Sequence, residues 1–393
     1  MCIKNQFVGP LAPTYNIFMI HYHPMKALEI IRKKIRETGE IPFVEFMQLA
    51  LYDPQVGYYT SGMQKFGEQG DFVTAPEMTP LFGKTLARQI QEVFKHVTFP
   101  ILLEFGAGSG KLCVDLLREL EDKEALPEQY WILEVSGDLS LRQKKLITQE
   151  IPHLASRVQW LTSWPTIPFE GVIIANEVLD AMPVHRFLLM EEGLKESYIT
   201  LDEEGRLKEV YRSCNNERLQ KYVKEILPAA APYQSEVNLF LDSWIEQVSN
   251  ILKTGAFFIF DYGFPRHEYY HPERQSGTLM CHYQHKGHIN PLAHPGEEDI
   301  TAHVDFTHVA EAAVNAQFHV AGFVNQASFL LMNGILELLE EMEDSIEKIN
   351  AQQAVKKLVM PHEMGELFKV MALTKNFDFP LQGFQLHDKR ASL

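Results

Sequence analysis

The chain has 393 residues, 46% of them hydrophobic, enough for one large domain with insertions or for two domains with a substantial core. It carries 36 Lys and Arg against 52 Asp and Glu, and the formal charge of -16 disfavours a general nucleic-acid binder, because phosphates need a cationic surface. The four cysteines show neither metal-ligand nor disulfide spacing, which is typical of a reducing compartment. No apolar run approaches the roughly 20 residues of a membrane span.

The first part of the chain predicts an extension followed by a helical region. Residues 1–25 lack the basic flank, long apolar stretch and cleavage site of a signal peptide, and they hold too little Arg for a typical mitochondrial presequence. Apolar residues recur at helical spacing over residues 26–50 and 79–95, on either side of a loop rich in Gly, Pro and aromatic residues. We therefore expect an extension over residues 1–25 and a helical and lid region over residues 26–98.

From residue 99 the chain predicts an α/β core. Short apolar runs such as ILLEF, WILEV and GVIIAN alternate with amphipathic segments, which is the pattern of parallel βαβ units in a doubly wound sheet. We expect this core to extend over residues 99–375, with insertions at residues 181–250 and 264–308, and a tail to follow over residues 376–393.

The insertions and the end of the core have their own predicted elements. The first insertion predicts a strand pair over residues 185–190 and 196–201 and then two helical stretches, whereas the second predicts loops and short helices. Between them, AFFIFDYG predicts a buried strand. The core is expected to end with a strand near residues 322–328, a long helix over residues 330–359 and the strand LFKVMALTK.

The stretch LEFGAGSG places three glycines between a predicted strand and a predicted helix. Gly106, Gly108 and Gly110 would let a ligand approach the backbone where side chains would block it. A dinucleotide site requires GxGxxG, but Lys111 occupies the position of the third glycine. By themselves, the glycines are compatible with a cofactor loop and with a tight turn that binds no ligand.

Two acidic residues separate the candidate cofactors. Glu104 lies in the strand before the glycines, and a carboxylate there favours the cationic S-adenosylmethionine while it repels the phosphates of a dinucleotide. Glu134 ends the next strand, where a carboxylate can accept hydrogen bonds from both hydroxyls of a ribose. The loop and the two carboxylates together predict an S-adenosylmethionine site.

The end of the fourth core strand, ANEVLDAMP, should project into the same crevice, because ligands bind beyond the carboxyl ends of parallel strands. Asn176, Glu177 and Asp180 are therefore the candidate catalytic residues. A carboxylate pair can hold a guanidinium through hydrogen bonds and accept the proton that it loses on methylation. The alternative is that Asn176 and Asp180 only cap a helix after the strand.

The loop over residues 67–80, FGEQGDFVTAPEMTP, is a candidate lid. Asp71, Thr74 and Glu77 are its candidate polar contacts with a cofactor. The alternative is a loop that packs on the domain surface, with its polar residues acting as helix caps.

Histidines crowd into the second insertion. The spacing of His282, His285 and His288 raises the alternative of a metal, but the ordered helix or Cys partners of a zinc site are absent, and we predict no metal site. His303 and Asp305 in DITAHVDF are the better candidates, and we expect them to order a polar substrate groove.

Taken in order, these motifs resemble the MidA-type family of class I S-adenosylmethionine-dependent methyltransferases, which is linked to the assembly of respiratory complex I. The resemblance extends over residues 26–375 and depends on LYDPQVGYY, GDFVTAPE, EFGAGSGKL, NEVLDAMPVHRF, IFDYG, GTLMCHYQH, DITAHVDF and MGELFKVMALTK. It implies a Rossmann-like core of seven strands with helical and loop insertions. It also implies that Gly70 and Asp71 lie beside the cofactor and that the carboxylates of Glu177 and Asp180 bind arginine.

The resemblance also implies a function. Mitochondrial members of the family are similar to protein arginine methyltransferases that symmetrically dimethylate a core subunit of complex I. We therefore expect an arginine methyltransferase that acts on a protein, with a complex I subunit as candidate partner and no nucleic-acid partner or membrane insertion. The resemblance allows a homodimer. We expect the bacterial cytoplasm as its location, or the mitochondrial matrix in a eukaryote.

Two other functions stay open at this point. One is an assembly or binding module whose cofactor site is not catalytic, and the other is a methyltransferase with a small-molecule acceptor. The chain also departs from the family pattern in the glycine loop, where the family often has Pro and Arg in place of Ala107 and Ser109. Neither change blocks the backbone, but the loss of Arg is expected to alter the contacts around the loop.

Overall fold

The computed structural model describes residues 26–60, 74–226, 231–284 and 286–393. Its strands are β1 (Ile41–Pro42), β2 (Ile101–Phe105), β3 (Gln129–Leu133), β4 (Val158–Leu161), β5 (Phe169–Asn176), β6 (His185–Met190), β7 (Gly193–Leu201), β8 (Leu207–Ser213), β9 (Tyr233–Val237), β10 (Leu252–Phe264), β11 (Met280–Tyr283), β12 (Lys286–His288), β13 (Asp299–Thr301), β14 (Val304–Asp305), β15 (His319–Asn325) and β16 (Phe368–Lys375). Its α-helices are α1 (Ala27–Thr38), α2 (Phe43–Tyr52), α3 (Ala75–Met78), α4 (Pro80–Phe94), α5 (Lys111–Asp122), α6 (Gly137–Glu150), α7 (Glu217–Ile226), α8 (Leu241–Ile251), α9 (Arg266–Tyr269), α10 (Phe306–Asn315), α11 (Gln326–Met332), α12 (Ile335–Glu340) and α13 (Ile346–Val359). Among these helices, none is long and apolar enough to cross a membrane.

The central sheet has the strand order β15-β16-β10-β5-β2-β3-β4, and β14 pairs with the end of β10. In this sheet, β4, β3, β2, β5 and β10 are parallel to one another, whereas β16 is antiparallel to both of its neighbours. Successive side chains of β10 enter different cores: Phe258 and Phe260 pack on one face of the sheet, and Phe257 and Ile259 on the other. This topology confirms the predicted α/β fold with a seven-stranded methyltransferase core.

The N-terminal helices and the two insertions share a separate core. In the first insertion, β6, β7, β8 and β9 form an antiparallel sheet, which β1 extends by pairing Ile41 with Ile199. In the second insertion, β11 pairs with β12 and β13. Phe46 of α2, Ile199 of β7 and Ile300 of β13 belong to one buried cluster. Three segments that are far apart in the sequence therefore fold together.

Two predicted helices are interrupted in the structure. The helix expected over residues 26–50 is divided into α1 and α2, because Gly39 adopts a φ of 87° after α1 and β1 follows it. The helix expected over residues 330–359 is divided into α11, α12 and α13, with Gly334 at a φ of 81° before α12 and Ser345 capping α13. Apolar periodicity continued across both breaks, so the pattern alone did not reveal them.

The insertions contain more strand than the sequence predicted. The strand pair β6 and β7 is confirmed, but β8 and β9 accompany the two helices of the first insertion. The second insertion forms a three-stranded sheet rather than loops and short helices alone. β8, β11 and β12 are only partly buried, which leaves a weak hydrophobic pattern in the sequence. β9 and β13 are mostly buried but only five and three residues long.

The two central strands that lead to the site approach each other closely at a glycine pair. Gly255 of β10 pairs with Gly171 of β5, and their φ angles are 136° and 144°, which favour glycine. A Cβ on Gly255 would lie 1.9 Å from the carbonyl oxygen of Gly171, and a Cβ on Gly171 would lie 2.0 Å from that of Ile101. The glycines therefore fix the register of the strands that end in the NEVLD and FDYG motifs.

We expect Gly255→Ala to lower the free energy of unfolding by roughly 2–4 kcal/mol, because it combines overpacking with backbone strain. Gly137→Ala is the matched control, since no atom lies within 4 Å of its added Cβ, and it should change stability by less than about 1 kcal/mol. Urea unfolding followed by circular dichroism measures both. Equal stabilities of the two variants would contradict the close approach.

Candidate active site

A cavity of about 700 Å³ opens at the carboxyl edge of the central sheet. Its wall comes from the core strand ends, the N-terminal region and both insertions. Six carboxylate-bearing residues line it: Glu77, Glu104, Glu134, Glu177, Asp180 and Asp299. Within the described part of the chain, the wall includes no lysine or arginine. The size suits a small-molecule site, and the charge favours cationic ligands.

The glycine loop forms part of this wall. Gly106 and Gly108 line the cavity with φ angles of 59° and 53°, and the N–H of Gly106 donates to the carbonyl of Leu133 at 3.1 Å. Gly110, at a φ of 89°, precedes α5 and would place a Cβ 3.3 Å from Gln143. Two of the three predicted glycine contacts therefore border the cavity, whereas Gly110 is required for packing behind it.

Glu104 lies in the cavity wall at the end of β2, where the sequence predicted it. Its side chain is buried and accepts a 2.6 Å hydrogen bond from the hydroxyl of Tyr130. Burial raises the pKa of Glu104 to about 7, the hydrogen bond opposes this shift, and the negative charge of Glu134 adds to it. A cation bound beside the loop would favour the ionised form of Glu104.

Glu134 follows β3 and is oriented by two neighbours. Its carboxylate accepts hydrogen bonds from the backbone N–H of Ser136 and from the side chain of Gln143, each at 2.9 Å. The same Gln143 amide donates to the carbonyl of Gly108 at 3.0 Å, so it links Glu134 to the glycine loop. This arrangement fits S-adenosylmethionine. Glu134 is positioned for the ribose hydroxyls, the glycine backbone allows close approach, and Glu104 supplies a buried carboxylate.

Asn176, Glu177 and Asp180 all line the same cavity. Residues 177–184 form turns, so the alternative in which Asn176 and Asp180 cap a helix is wrong. Glu177 has a φ of 54°, which is unusual for a residue other than glycine, and its N–H donates to the carbonyl of Phe260 at 2.8 Å. The Asn176 amide donates to Glu177 Oε1 at 3.2 Å. The strained turn thus directs Glu177 into the site.

Asp261, at the end of β10, holds this turn and was not among the predicted site residues. Its Oδ2 accepts hydrogen bonds from the backbone N–H groups of Leu179 and Asp180 at 2.9 and 3.3 Å. Its Oδ1 accepts from the N–H of Tyr262 at 2.9 Å. Asp261 is completely buried, and burial together with the charge of Asp180 raises its pKa. The only available sequence signal was its place at a strand end in IFDYG.

Glu177 and Asp180 have raised pKa values. Burial and then the charge of Asp180 raise the pKa of Glu177 to about 8. Burial raises the pKa of Asp180 to about 6, although a hydrogen bond from Tyr262 opposes this shift. Asp180 is 5% exposed, and its Oδ1 has no hydrogen-bond partner within the described residues. An unsatisfied buried acceptor at a cavity wall indicates a donor that arrives with a ligand.

The short helix α3 connects the glycine loop to Glu177. Ser109 of the glycine loop donates to the carboxylate of Glu77, and the Lys111 ammonium donates to the Glu77 carbonyl at 3.1 Å. At the other end of α3, the backbone of Ala75 hydrogen-bonds Glu177 and lowers its pKa slightly. Thr74 and Glu77 line the cavity, as the candidate lid predicted. Ser109, at the Arg position of the family pattern, therefore has a defined partner.

The far wall of the cavity contains aromatic residues and an aspartate that the sequence did not single out. Tyr52 and Tyr59 stack with ring centroids 5.5 Å apart. Tyr59 donates its hydroxyl to Asp299 Oδ1 at 2.8 Å, and Tyr52 donates its hydroxyl to the carbonyl of Ala181 at 3.0 Å. These residues come from the N-terminal region and the second insertion, so no local motif grouped them.

The two predicted groove residues separate in the structure. His303 lines the main cavity and stacks on Phe264 with ring centroids 5.2 Å apart. Burial, and then the charge of Arg274, lower the pKa of His303 to about 4, so its imidazole is neutral at physiological pH. Asp305 instead caps α10 and pairs with Arg266 at 3.3 Å. Asp305 does not line this cavity, and helix capping and the ion pair occupy its carboxylate, so its role in ordering the groove stays a prediction.

Three predicted residues cannot be placed. Gly70 and Asp71, expected beside the cofactor, and His285 of the histidine cluster lie outside the described residues. Across the described segments, no group of three or more His, Cys, Asp or Glu side chains has the arrangement of a metal site.

The chain is similar to known methyltransferases along most of its length. A family model of S-adenosyl-L-methionine-dependent methyltransferases matches residues 85–324. A Burkholderia thailandensis protein crystallised with S-adenosylhomocysteine is 40% identical, with a TM-score of 0.90 over 93% of this chain and 96% of that protein. The mitochondrial protein arginine methyltransferase NDUFAF7 of Rattus norvegicus is 29% identical over 90% of this chain and 85% of its own length. Its Drosophila melanogaster homologue is 28% identical over 90% and 87%.

We expect Glu134→Gln to weaken the binding of S-adenosylhomocysteine on the order of 10–100-fold, because the amide presents a donor where a charged acceptor faced the ribose. Glu128→Gln, at an exposed position before β3, is the control and should bind within about twofold of the wild type. Isothermal titration calorimetry measures both dissociation constants. Unchanged affinity in Glu134→Gln would remove Glu134 from the cofactor site.

Proposed function

Because the chain belongs to the family of S-adenosyl-L-methionine-dependent methyltransferases, we propose that it methylates an arginine side chain of a protein. The observation that carries this proposal is the cavity itself, where Glu177 and the unsatisfied Asp180 lie in a wall without a described lysine or arginine. A guanidinium supplies both the positive charge and the hydrogen-bond donors that this arrangement lacks.

Residues at the core strand ends would hold the cofactor. Glu134 would accept hydrogen bonds from the ribose hydroxyls, and the backbone at Gly106 and Gly108 would lie along the ligand. Glu104 would face its cationic amino-acid portion. S-adenosylmethionine supplies the methyl group on a sulfonium, whose leaving-group quality means that the protein mainly has to position the two reactants.

The acceptor half of the cavity would bind and deprotonate the guanidinium. Glu177 and Asp180 would accept hydrogen bonds from its N–H groups, which orients one nitrogen toward the methyl carbon and localises electron density on it. As the new N–C bond forms and the S–C bond breaks, Glu177 would accept the proton that the nitrogen loses. Asp261 would contribute by holding the turn that carries both carboxylates.

The proposal for the acceptor protein is supported by similarity alone. The NDUFAF7 relatives are named as protein arginine methyltransferases, which supports a protein acceptor for this chain. The family resemblance supports a subunit of respiratory complex I, methylated during assembly, in the bacterial cytoplasm or in the mitochondrial matrix. A homodimer remains part of the proposal only through the same resemblance.

We expect Glu177→Gln to bind S-adenosylhomocysteine like the wild type and to lower methyl transfer by about 100-fold or more, because the amide cannot accept the proton. The assay uses tritiated S-adenosylmethionine and an extract of the source organism from which the gene has been deleted. Acid hydrolysis then identifies the labelled amino acid.

Label in methylarginine with the wild type and its loss in Glu177→Gln support the proposal. Label in another amino acid or in a small molecule would overturn the arginine assignment. Asp344→Asn serves as control, because this carboxylate is 98% exposed and its loss should leave transfer unchanged.

Binding of a guanidinium should depend on pH. At neutral pH the carboxyl of Glu177, with its pKa of about 8, is mostly protonated and must lose a proton before it pairs with a cation. The affinity for N-acetyl-arginine amide should therefore rise as the pH increases from 6 to about 8, by up to about tenfold per unit, and level off above that. Calorimetry on the S-adenosylhomocysteine complex measures it, and a flat profile would contradict the role of Glu177.

A further inference from the structure

We propose that Asp299, contributed by the second insertion, is a further acceptor-binding carboxylate that makes the site selective for a guanidinium over a primary amine. This inference rests on the proposed function, since it concerns the same acceptor site. It extends that function from the core motif to a segment outside the methyltransferase sheet.

Asp299 combines deep burial with access to the cavity. It is the first residue of β13 and is only 3% exposed, yet it lines the cavity with Glu177 and Asp180. Its charge raises the pKa of Glu177, which places the two carboxylates within electrostatic range of each other. A carboxylate has about four acceptor positions, so a buried carboxylate that faces a cavity can accept further donors from a bound ligand.

The surrounding contacts fix Asp299 relative to the core carboxylates. The Tyr59 hydroxyl donates a hydrogen bond to Asp299 Oδ1 at 2.8 Å. Tyr52, which stacks on Tyr59, donates a hydrogen bond to the carbonyl of Ala181, next to Asp180. In addition, the N–H of Ala302 donates to the carbonyl of Asp180 at 2.9 Å. The β13 segment is thereby attached directly to the NEVLD turn, so that Asp299 and Asp180 keep one spacing.

The chemistry of the two cations differs at such a site. A guanidinium is planar and presents five N–H donors along separate edges, so carboxylates from two elements can bind different edges at once. An ammonium is a compact point charge with three donors and gains less from a second, separately positioned carboxylate. The unsatisfied Asp180 Oδ1 on one element and the Tyr59-oriented Asp299 on another match the larger, planar cation.

The test measures binding of three blocked amino acids to the protein saturated with S-adenosylhomocysteine: N-acetyl-arginine amide, N-acetyl-lysine amide and the neutral isostere N-acetyl-citrulline amide. We expect Asp299→Asn to weaken the arginine probe by at least tenfold and the lysine probe by less than threefold. Binding of S-adenosylhomocysteine should stay within twofold. Asp344→Asn removes the same charge at an exposed position and should bind all probes like the wild type.

Tyr59→Phe keeps the carboxylate but removes the hydroxyl that orients it, and we expect it to weaken the arginine probe by about three- to fivefold. This variant decides the question if Asp299→Asn fails to fold, because unchanged arginine affinity in Tyr59→Phe would then overturn the proposal.

The outcomes separate this inference from the proposed function. If the wild type prefers arginine to citrulline and to lysine, and Asp299→Asn retains that preference, only the role of Asp299 is overturned. If the wild type itself shows no preference for arginine, the arginine function fails and the role of Asp299 fails with it.

Discussion

The concentration of negative charge around one partly enclosed cavity is the constraint on which this site depends. Six carboxylates line a cavity to which the described chain contributes no lysine or arginine, and burial makes the ionised forms of Glu104, Glu177 and Asp180 costly. The free protein relieves this cost by protonation, as the raised pKa values of Glu104 and Glu177 indicate. A cationic cofactor and a cationic acceptor can each replace a proton, so ligand binding and ionisation are linked.

Asp261 fixes the position of the turn that carries these carboxylates. Its carboxylate accepts three backbone N–H groups, two of them from the turn that carries Asp180 and one from Tyr262. The turn itself is strained, with Glu177 in a left-handed conformation, and without such support a strained segment would relax. The buried aspartate on β10 therefore explains why Glu177 and Asp180, in the turn after the neighbouring strand β5, keep their places. The close pair of Gly171 and Gly255, near the start of the same two strands, fixes their register.

The sequence predicted most of the cavity residues of the proposed cofactor half, because their signals are local. The glycine loop, Glu104 and Glu134 each lie at the end of a buried strand, and the parallel order of those strands brings them to one edge. The acceptor half was predicted only where it also follows a core strand, at Asn176, Glu177 and Asp180. Tyr59 and Asp299 are separated by 240 positions, and only the tertiary structure joins them. The sequence did not predict the helix breaks at Gly39 and Gly334, because apolar residues keep helical spacing across both positions.

This division between local and distant signals has a physical consequence for the enzyme. The proposed cofactor contacts lie at the strand ends of the sheet, whose two buried faces give it little freedom to vary. The acceptor wall is completed by insertions whose own core, around Ile199 and Ile300, is separate from that of the sheet. Substitutions in the insertions can therefore change the shape and charge of the acceptor wall without disturbing the strands that hold the cofactor. Because the N-terminal helices belong to that same core, the acceptor wall also depends on the start of the described chain, where α2 runs into the LYDPQVGYY motif.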